Sequence, residues 1–183
     1  MLIDAAKSSL LIVDVQERLL PAMADGKGVL KQAAILLKAA KALDVPVAVS
    51  EQYPKGLGHT VETLSQEIGN APVFEKSSFS CWRDEGLRRH FTTHHDGGRP
   101  QVIIAGIEAH VCVAQTAIDL AQAGFGVFVV ADAVSSRAEA SVSLALSRMG
   151  QSGIDVINTE MAVFELLGKA GTPEFKALSG LIK

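Results

Sequence analysis

The chain predicts an α/β fold, a parallel sheet with helices on both of its faces, and three observations predict it. Short, almost wholly apolar runs alternate with longer segments whose apolar residues recur at helical spacing. The connections between them are short, and no repeat, low-complexity tract or linker interrupts the alternation along 183 residues. The runs LLIVDV, VIIAGI and GVFVVA are nearly all apolar, as expected of strands covered on both sides rather than strands with one wet face. The length suits one domain over residues 1–183 with a full core.

Taken in order, residues 10–15 form the first strand, with Asp14 as its one discordant member, and 29–43 an amphipathic helix carrying Ala33, Leu36, Leu37, Ala40 and Leu43 on one side. A second strand spans 45–50, with Pro46 tolerable only near its beginning. The Pro- and Gly-containing stretch 51–60 is a loop, followed by a short helix over 61–68. A third strand at 72–75 delivers Lys76, and a polar helix covers 84–95. The fourth strand begins at Val102 and turns at Gly106 into a helix starting around Val111 and stopping near Gly124. A strand at 126–131, a helix at 138–149, a sixth strand at 154–157 and helices at 161–167 and 173–182 complete the chain.

Composition narrows the function. Hydrophobic residues make up 48%, charged residues 20%, mean hydropathy is +0.27 and net charge is −3. The apolar balance favours a buried face between copies in a homo-oligomer. The charge, with no basic cluster interleaved with aromatics, argues against a nucleic-acid partner. No run is long enough for a membrane span and the start is not signal-like, so a cytoplasmic protein is expected. Cys81 and Cys112 match no metal-knuckle spacing and are too few for a disulfide framework.

Three residues carry candidate chemistry. Cys112 lies where a strand gives way to a helix, and the unpaired N–H groups and dipole of a helix start favour a thiolate or an oxyanion. Alone, a free cysteine is more often a small core hydrophobe. Asp14 is a carboxylate among Leu, Ile and Val, which demands a partner or a raised pKa and suits a general base. Lys76 would supply the countercharge. In an open sheet of the common order 3-2-1-4-5-6, ligands bind where the order reverses, between the first and fourth strands, so that Asp14 and Cys112 face each other there.

The histidines offer less. His90, His94 and His95 read as surface residues of a polar helix, and the i, i+4 pair lacks the glutamate of a metalloprotease motif. His59 reads as a satisfied loop residue, and His110 points away from a nucleophile at a helix start. GLGHTV lacks the third glycine of a dinucleotide fingerprint and does not follow a strand directly.

The segments LLIVDVQ around Asp14, FEKSSFS around Lys76 and GIEAHVCVAQTAIDLAQAGFGVFVVADAVSSR around Cys112 resemble the isochorismatase-like hydrolase superfamily, which includes nicotinamidases and N-carbamoylsarcosine amidohydrolases. SEQYPKGLGHT, SSR and RMGQSGI are most similar to the subgroup of isochorismatase-domain-containing proteins. The resemblance implies a three-layer α/β/α architecture on a six-stranded parallel sheet. It also implies an Asp14–Lys76–Cys112 triad, a cis peptide between Ile107 and Glu108, and an oxyanion hole from the backbone N–H groups of Glu108 and Cys112. Leu19, Gln52, Tyr53, Phe79 and Trp82 are the candidates for the rest of the substrate wall, with Cys81 a packing residue.

Where nicotinamidases carry a metal-binding Asp-x-His, this chain has Glu51, Gln52 and Tyr53, so neither a metal nor another cofactor is expected. Isochorismatases that cleave a vinyl ether do not need the cysteine. The expectation is therefore a cysteine hydrolase of a small amide-type C–N bond. The rival readings are an isochorismate-type acid–base hydrolase and a non-catalytic binding or scaffold protein on the same fold.

Overall fold

The computed structural model describes residues 1–182. Its sheet contains β1 (Ser8–Val13), β2 (Val47–Gln52), β3 (Val73–Lys76), β4 (Gln101–Ile107), β5 (Gly126–Ser135) and β6 (Asp155–Ile157). All are parallel, in the order β3-β2-β1-β4-β5-β6. The helices are α1 (Gly26–Ala42), α2 (Pro54–Leu57), α3 (Glu62–Ile68), α4 (Glu85–Asp96), α5 (Ala114–Gln122), α6 (Glu139–Gln151), α7 (Thr159–Leu167) and α8 (Pro173–Leu178).

Alternation along the strands explains the two covered faces. Leu10 and Ile12 of β1 enter a core shared with α1, α3 and α7, whereas Leu11 and Val13 enter the opposite core shared with α4, α5 and α6. Every residue of β1 and β4 is buried. Strands enclosed in this way are apolar apart from Ser8, Ser9 and Gln101 at their starts, which is why the apolar runs were legible as central strands.

Several boundaries move. β2 starts after Pro46 and runs to Gln52, so Glu51 and Gln52 are strand residues and not the start of a loop. β3 includes Lys76 as its last residue. The stretch expected to be loop contains the short α2, opened by Pro54 at its first turn. β1 ends at Val13, which places Asp14 just beyond the strand. β5 extends to Ser135 through a shift of register against β4 between Ile104 and Gly106. These extensions lengthen the strands at the end where the polar residues collect.

Gly106 of β4 pairs with Val13 at the end of β1. A Cβ at Gly106 would lie 2.1 Å from the Val13 carbonyl oxygen, and the residue has φ +126°. Only glycine fits both the space and the backbone. It therefore seats the turn carrying Cys112 against the end of β1 at the switch point of the sheet.

Candidate active site

Asp14 follows β1 with φ +51°, a left-handed conformation that aspartate tolerates better than most residues. Its N–H donates to the Ser50 carbonyl at 3.0 Å, and its side chain is entirely buried. Both carboxylate oxygens are engaged. Oδ2 accepts from Lys76 Nζ at 2.7 Å, and Oδ1 accepts from Ser50 Oγ at 2.7 Å. The partner that a buried carboxylate requires is therefore present.

Lys76 has no exposed side-chain surface either. Besides Asp14, its ammonium faces Gln52 Oε1 at 2.7 Å and the carbonyls of Ser78 and Phe79 at 3.2 Å each. Burial works against the charge, but the Asp14 carboxylate, by its charge and its hydrogen bond, outweighs it and raises the pKa of the lysine. Lys76 therefore keeps its charge beside the carboxylate.

Cys112 reaches the same place. It is 6% exposed, and its thiol lies near enough to the Asp14 carboxylate to feel the charge. The sequence expectation of a helix-start thiolate needs correction in two respects. The helical turn begins at Ala109 with Glu108 as its cap, so Cys112 lies within it; α5 proper begins at Ala114. The turn is widened: the Glu108 carbonyl accepts from Val111 at 3.1 Å and from Val113 at 3.2 Å, the second spanning five residues. Moreover, the thiol pKa is raised, first by burial and then by the Asp14 charge, against a smaller opposing effect of Lys76. At rest the sulfur holds its proton, next to the base that would take it.

The Ile107-Glu108 peptide is cis. The turn is braced from the end of β5 and the residues after it. The buried Glu108 carboxylate accepts from the Arg137 backbone N–H and from Arg137 Nε, each at 3.1 Å. His110 Nδ1 lies 2.9 Å from Ser136 Oγ.

The expected substrate wall divides. Gln52 is occupied in holding Lys76 through Oε1, while its Nε2 donates to the Ser77 carbonyl at 2.9 Å. Tyr53 and Phe79 are 60% and 55% exposed, free to meet a ligand. Leu19 packs against the core on the α1 face. Trp82 stacks edge-on against Phe125, with ring centroids 5.4 Å apart. Cys81 is fully buried, as expected, yet its thiol reaches Ser50 Oγ at 3.5 Å.

Sequence reasoning missed a brace over the site. Gln16 Nε2 donates to the Gly58 carbonyl at 2.6 Å and to the Gln52 carbonyl at 3.0 Å, and its Oε1 accepts from Gln52 N–H at 2.7 Å. Glu51 accepts from Thr60 N–H at 2.6 Å and Thr60 Oγ1 at 2.7 Å, and lies 2.9 Å from His59 Nδ1. The glutamate is thus committed to closing the 53–60 loop. The visible clue was polarity inside a strand, Ser-Glu-Gln directly after VPVAV. His90 is a further correction: it is half-buried against Phe74 and Phe91, not a surface residue.

An isochorismatase domain matches residues 8–161, the span from β1 to the start of α7. The chain belongs to the isochorismatase family. A secreted isochorismatase effector of Phytophthora sojae is 46% identical over 81% of this chain and 71% of its own length. Isochorismatase domain-containing protein 2 of Danio rerio is 42% identical over 96% of this chain and 86% of its own. A structure described as MAR1 ribonuclease from Caenorhabditis elegans superposes with TM-score 0.92 at 37% identity, covering 100% of this chain and 92% of that one. The Escherichia coli YcaC gene product, described as an octameric hydrolase of unknown specificity, gives TM-score 0.91 at 26% identity over 99% and 90%. This chain is an isochorismatase-family protein with the hydrolase fold of that family. No helix among the described residues is long and apolar enough to cross a membrane.

Proposed function

We propose that this isochorismatase-family protein is a metal-independent cysteine hydrolase that opens a small-molecule amide-type C–N bond through a thioester on Cys112. The observation that carries the reading is the fully buried Asp14–Lys76 pair, 2.7 Å apart, with the Cys112 thiol within reach of its charge.

Asp14 takes the thiol proton as sulfur attacks the carbonyl carbon. The charge developing on oxygen is met by the backbone N–H groups of Glu108 and Cys112, donors that need no reorganisation during the reaction. As the C–N bond breaks, the proton on Asp14 passes to the departing nitrogen, which leaves as an amine or ammonia. Water then attacks the thioester, giving a proton to Asp14, and the C–S bond breaks to release the acid. The sulfur recovers the proton and the resting state returns. A protonated resting thiol beside its base fits this order of events, because no stable thiolate is exposed between turnovers. Lys76 keeps Asp14 charged and adds positive potential near the sulfur. Tyr53 and Phe79 offer apolar contact to the rest of the substrate.

The test is ammonia or amine release from a panel of small amides and ureides. Turnover that disappears in Cys112→Ala supports the reading. Turnover retained in Cys112→Ala but lost in Asp14→Ala supports acid–base hydrolysis without covalent catalysis. No turnover, with Cys112 labelled by iodoacetamide no faster than Cys81, supports a scaffold. Homo-oligomerisation is part of the proposal, supported by the exposed apolar residues Leu144, Met161 and Phe164 and by the octameric relative; sedimentation at several concentrations tests it. A cytoplasmic location is likewise proposed, though one relative is a secreted effector.

A second reading, ribonuclease action, is favoured by the description of the 37%-identical structure. The net charge of −3 weighs against it, since phosphate contacts carry most nucleic-acid affinity. RNA cleavage that Cys112→Ala abolishes would move the substrate class to nucleic acid.

A further inference from the structure

Two buried polar side chains near the triad have no part in the proposed chemistry, Ser50 and Cys81. Ser50 and Gln52 lie two residues apart and share a face of β2, the strand between the one that leads to Asp14 and the one that ends in Lys76. Gln52 holds the ammonium and Ser50 holds the carboxylate, so the end of β2 serves both members of the ion pair. Ser50 is completely buried, and behind it sits the Cys81 thiol, also completely buried, donating to Ser50 Oγ at 3.5 Å.

The direction of this chain of hydrogen bonds is set by Cys81. Burial, followed by the nearby Asp14 charge, pushes its thiol up to about 11, so it keeps its proton throughout the working range of the protein. Its position is fixed as well: the Cys81 N–H donates to Thr116 Oγ1 of α5 at 2.8 Å. A hydroxyl that accepts from a permanent donor turns its own hydrogen elsewhere, and here the acceptor is Asp14 Oδ1. The titratable groups facing Asp14 are Lys76 from β3, Cys112 from the turn after β4, and Cys81, which acts through Ser50. Ser50 itself does not titrate.

We infer that Ser50, oriented by the Cys81 thiol, is a positioning residue that holds Asp14 in its ionised, proton-accepting state and thereby sets the lower pH limit of Cys112 reactivity. Cys81 is then more than core filling: it supplies the proton that decides which way the serine hydroxyl points. The inference rests on the proposed role of Asp14 as the base for Cys112.

The experiment follows the rate of iodoacetamide labelling at Cys112 by mass spectrometry between pH 4.5 and 9, for the unaltered protein, Asp14→Asn, Ser50→Ala, Ser50→Thr and Cys81→Ala. Ser50→Ala removes one charge-assisted hydrogen bond from the carboxylate, so the acid limb should move up by about one pH unit, roughly a tenfold loss of rate at a fixed pH on that limb. Ser50→Thr keeps the hydroxyl and should restore the limb. Cys81→Ala, which leaves the hydroxyl free to rotate, should move it in the same direction by less. A purely structural role would lower the melting temperature without moving the limb. An unmoved limb in folded Ser50→Ala overturns the inference; if that variant does not fold, an unmoved limb in Cys81→Ala does so. If Asp14→Asn labels like the unaltered protein, the function proposed above fails and this inference with it. An Asp14-dependent limb that ignores Ser50 and Cys81 overturns the inference alone.

Discussion

The two ends of the sheet bury ionisable groups in opposite ways. At the carboxyl end, Asp14 and Lys76 have no exposed side-chain surface, and every charged atom is matched by an opposite charge, a hydroxyl, an amide or a carbonyl. At the amino end, where β2 and β3 begin, a cavity of about 550 Å³ is lined by Pro46, Val47, Pro72, His90 and His94 among others. There His90 Nε2 is buried without a partner among the described residues, and burial followed by the nearby His94 lowers its pKa to about 4. One end keeps its charges by pairing them; the other gives its charge up. Burial alone does not mark a working site. What separates the two is whether the surroundings were built to retain the charge.

The largest break in that comparison should come from Lys76→Met, which leaves Asp14 buried with its countercharge gone. A loss of about 3–5 kcal/mol in chemical denaturation is expected, with most of it recovered in the double variant Asp14→Leu/Lys76→Met. A single-variant loss under about 1 kcal/mol would mean that the pair is less enclosed than described. Gly106→Ala should cost about 3 kcal/mol or more, since a methyl group there meets backbone and the conformation is disfavoured. The same variant should slow Cys112 labelling by displacing its turn.

His90 sharpens the other side of the comparison. Its pKa lies below the value in the unfolded chain, so the unfolded state binds more protons between pH 6.5 and about 4. Stability therefore falls as pH drops through that window. His90→Leu should flatten the fall, seen as a smaller change in melting temperature between pH 7 and pH 4.5. An unchanged acid response would place the sensitivity elsewhere. The smallest effect is expected of Cys112→Ala, within about 1 kcal/mol in stability, because a nearly buried small side chain is replaced by a slightly smaller one. Its effect on turnover should be complete.

The two covered faces and the placing of Asp14 and Lys76 at strand ends were legible because each depends on pattern: continuous apolar runs, helical spacing, and a charged residue at the end of a run; the strand order was taken as the common one, and the triad came with the family resemblance. The state of the sulfur was not. A helix start favours a thiolate in isolation, but Cys112 lies within a widened turn and faces a carboxylate, and the enclosure and the anion together reverse the direction. Ser50 was passed over because a serine at the end of an apolar run is also an ordinary strand terminus. Only the parallel pairing of Val13 with Ser50 puts it beside the residue after Val13. Trp82 posed a different difficulty, since nearness in sequence to Lys76 does not say which way a side chain turns. His90 looked like part of a wet helix because its neighbours are charged, whereas its ring lies against the phenyl group of Phe74 from the adjacent strand.

A sulfur only 6% exposed has a chemical consequence outside turnover. Bulky oxidants and disulfides, glutathione disulfide among them, cannot approach a resting thiol that is both recessed and protonated, whereas a small flat acyl compound can slip in and meet it. Recession thus shields the Cys112 thiol from capping by bulky disulfides, and the thiol should stay free in the presence of glutathione disulfide.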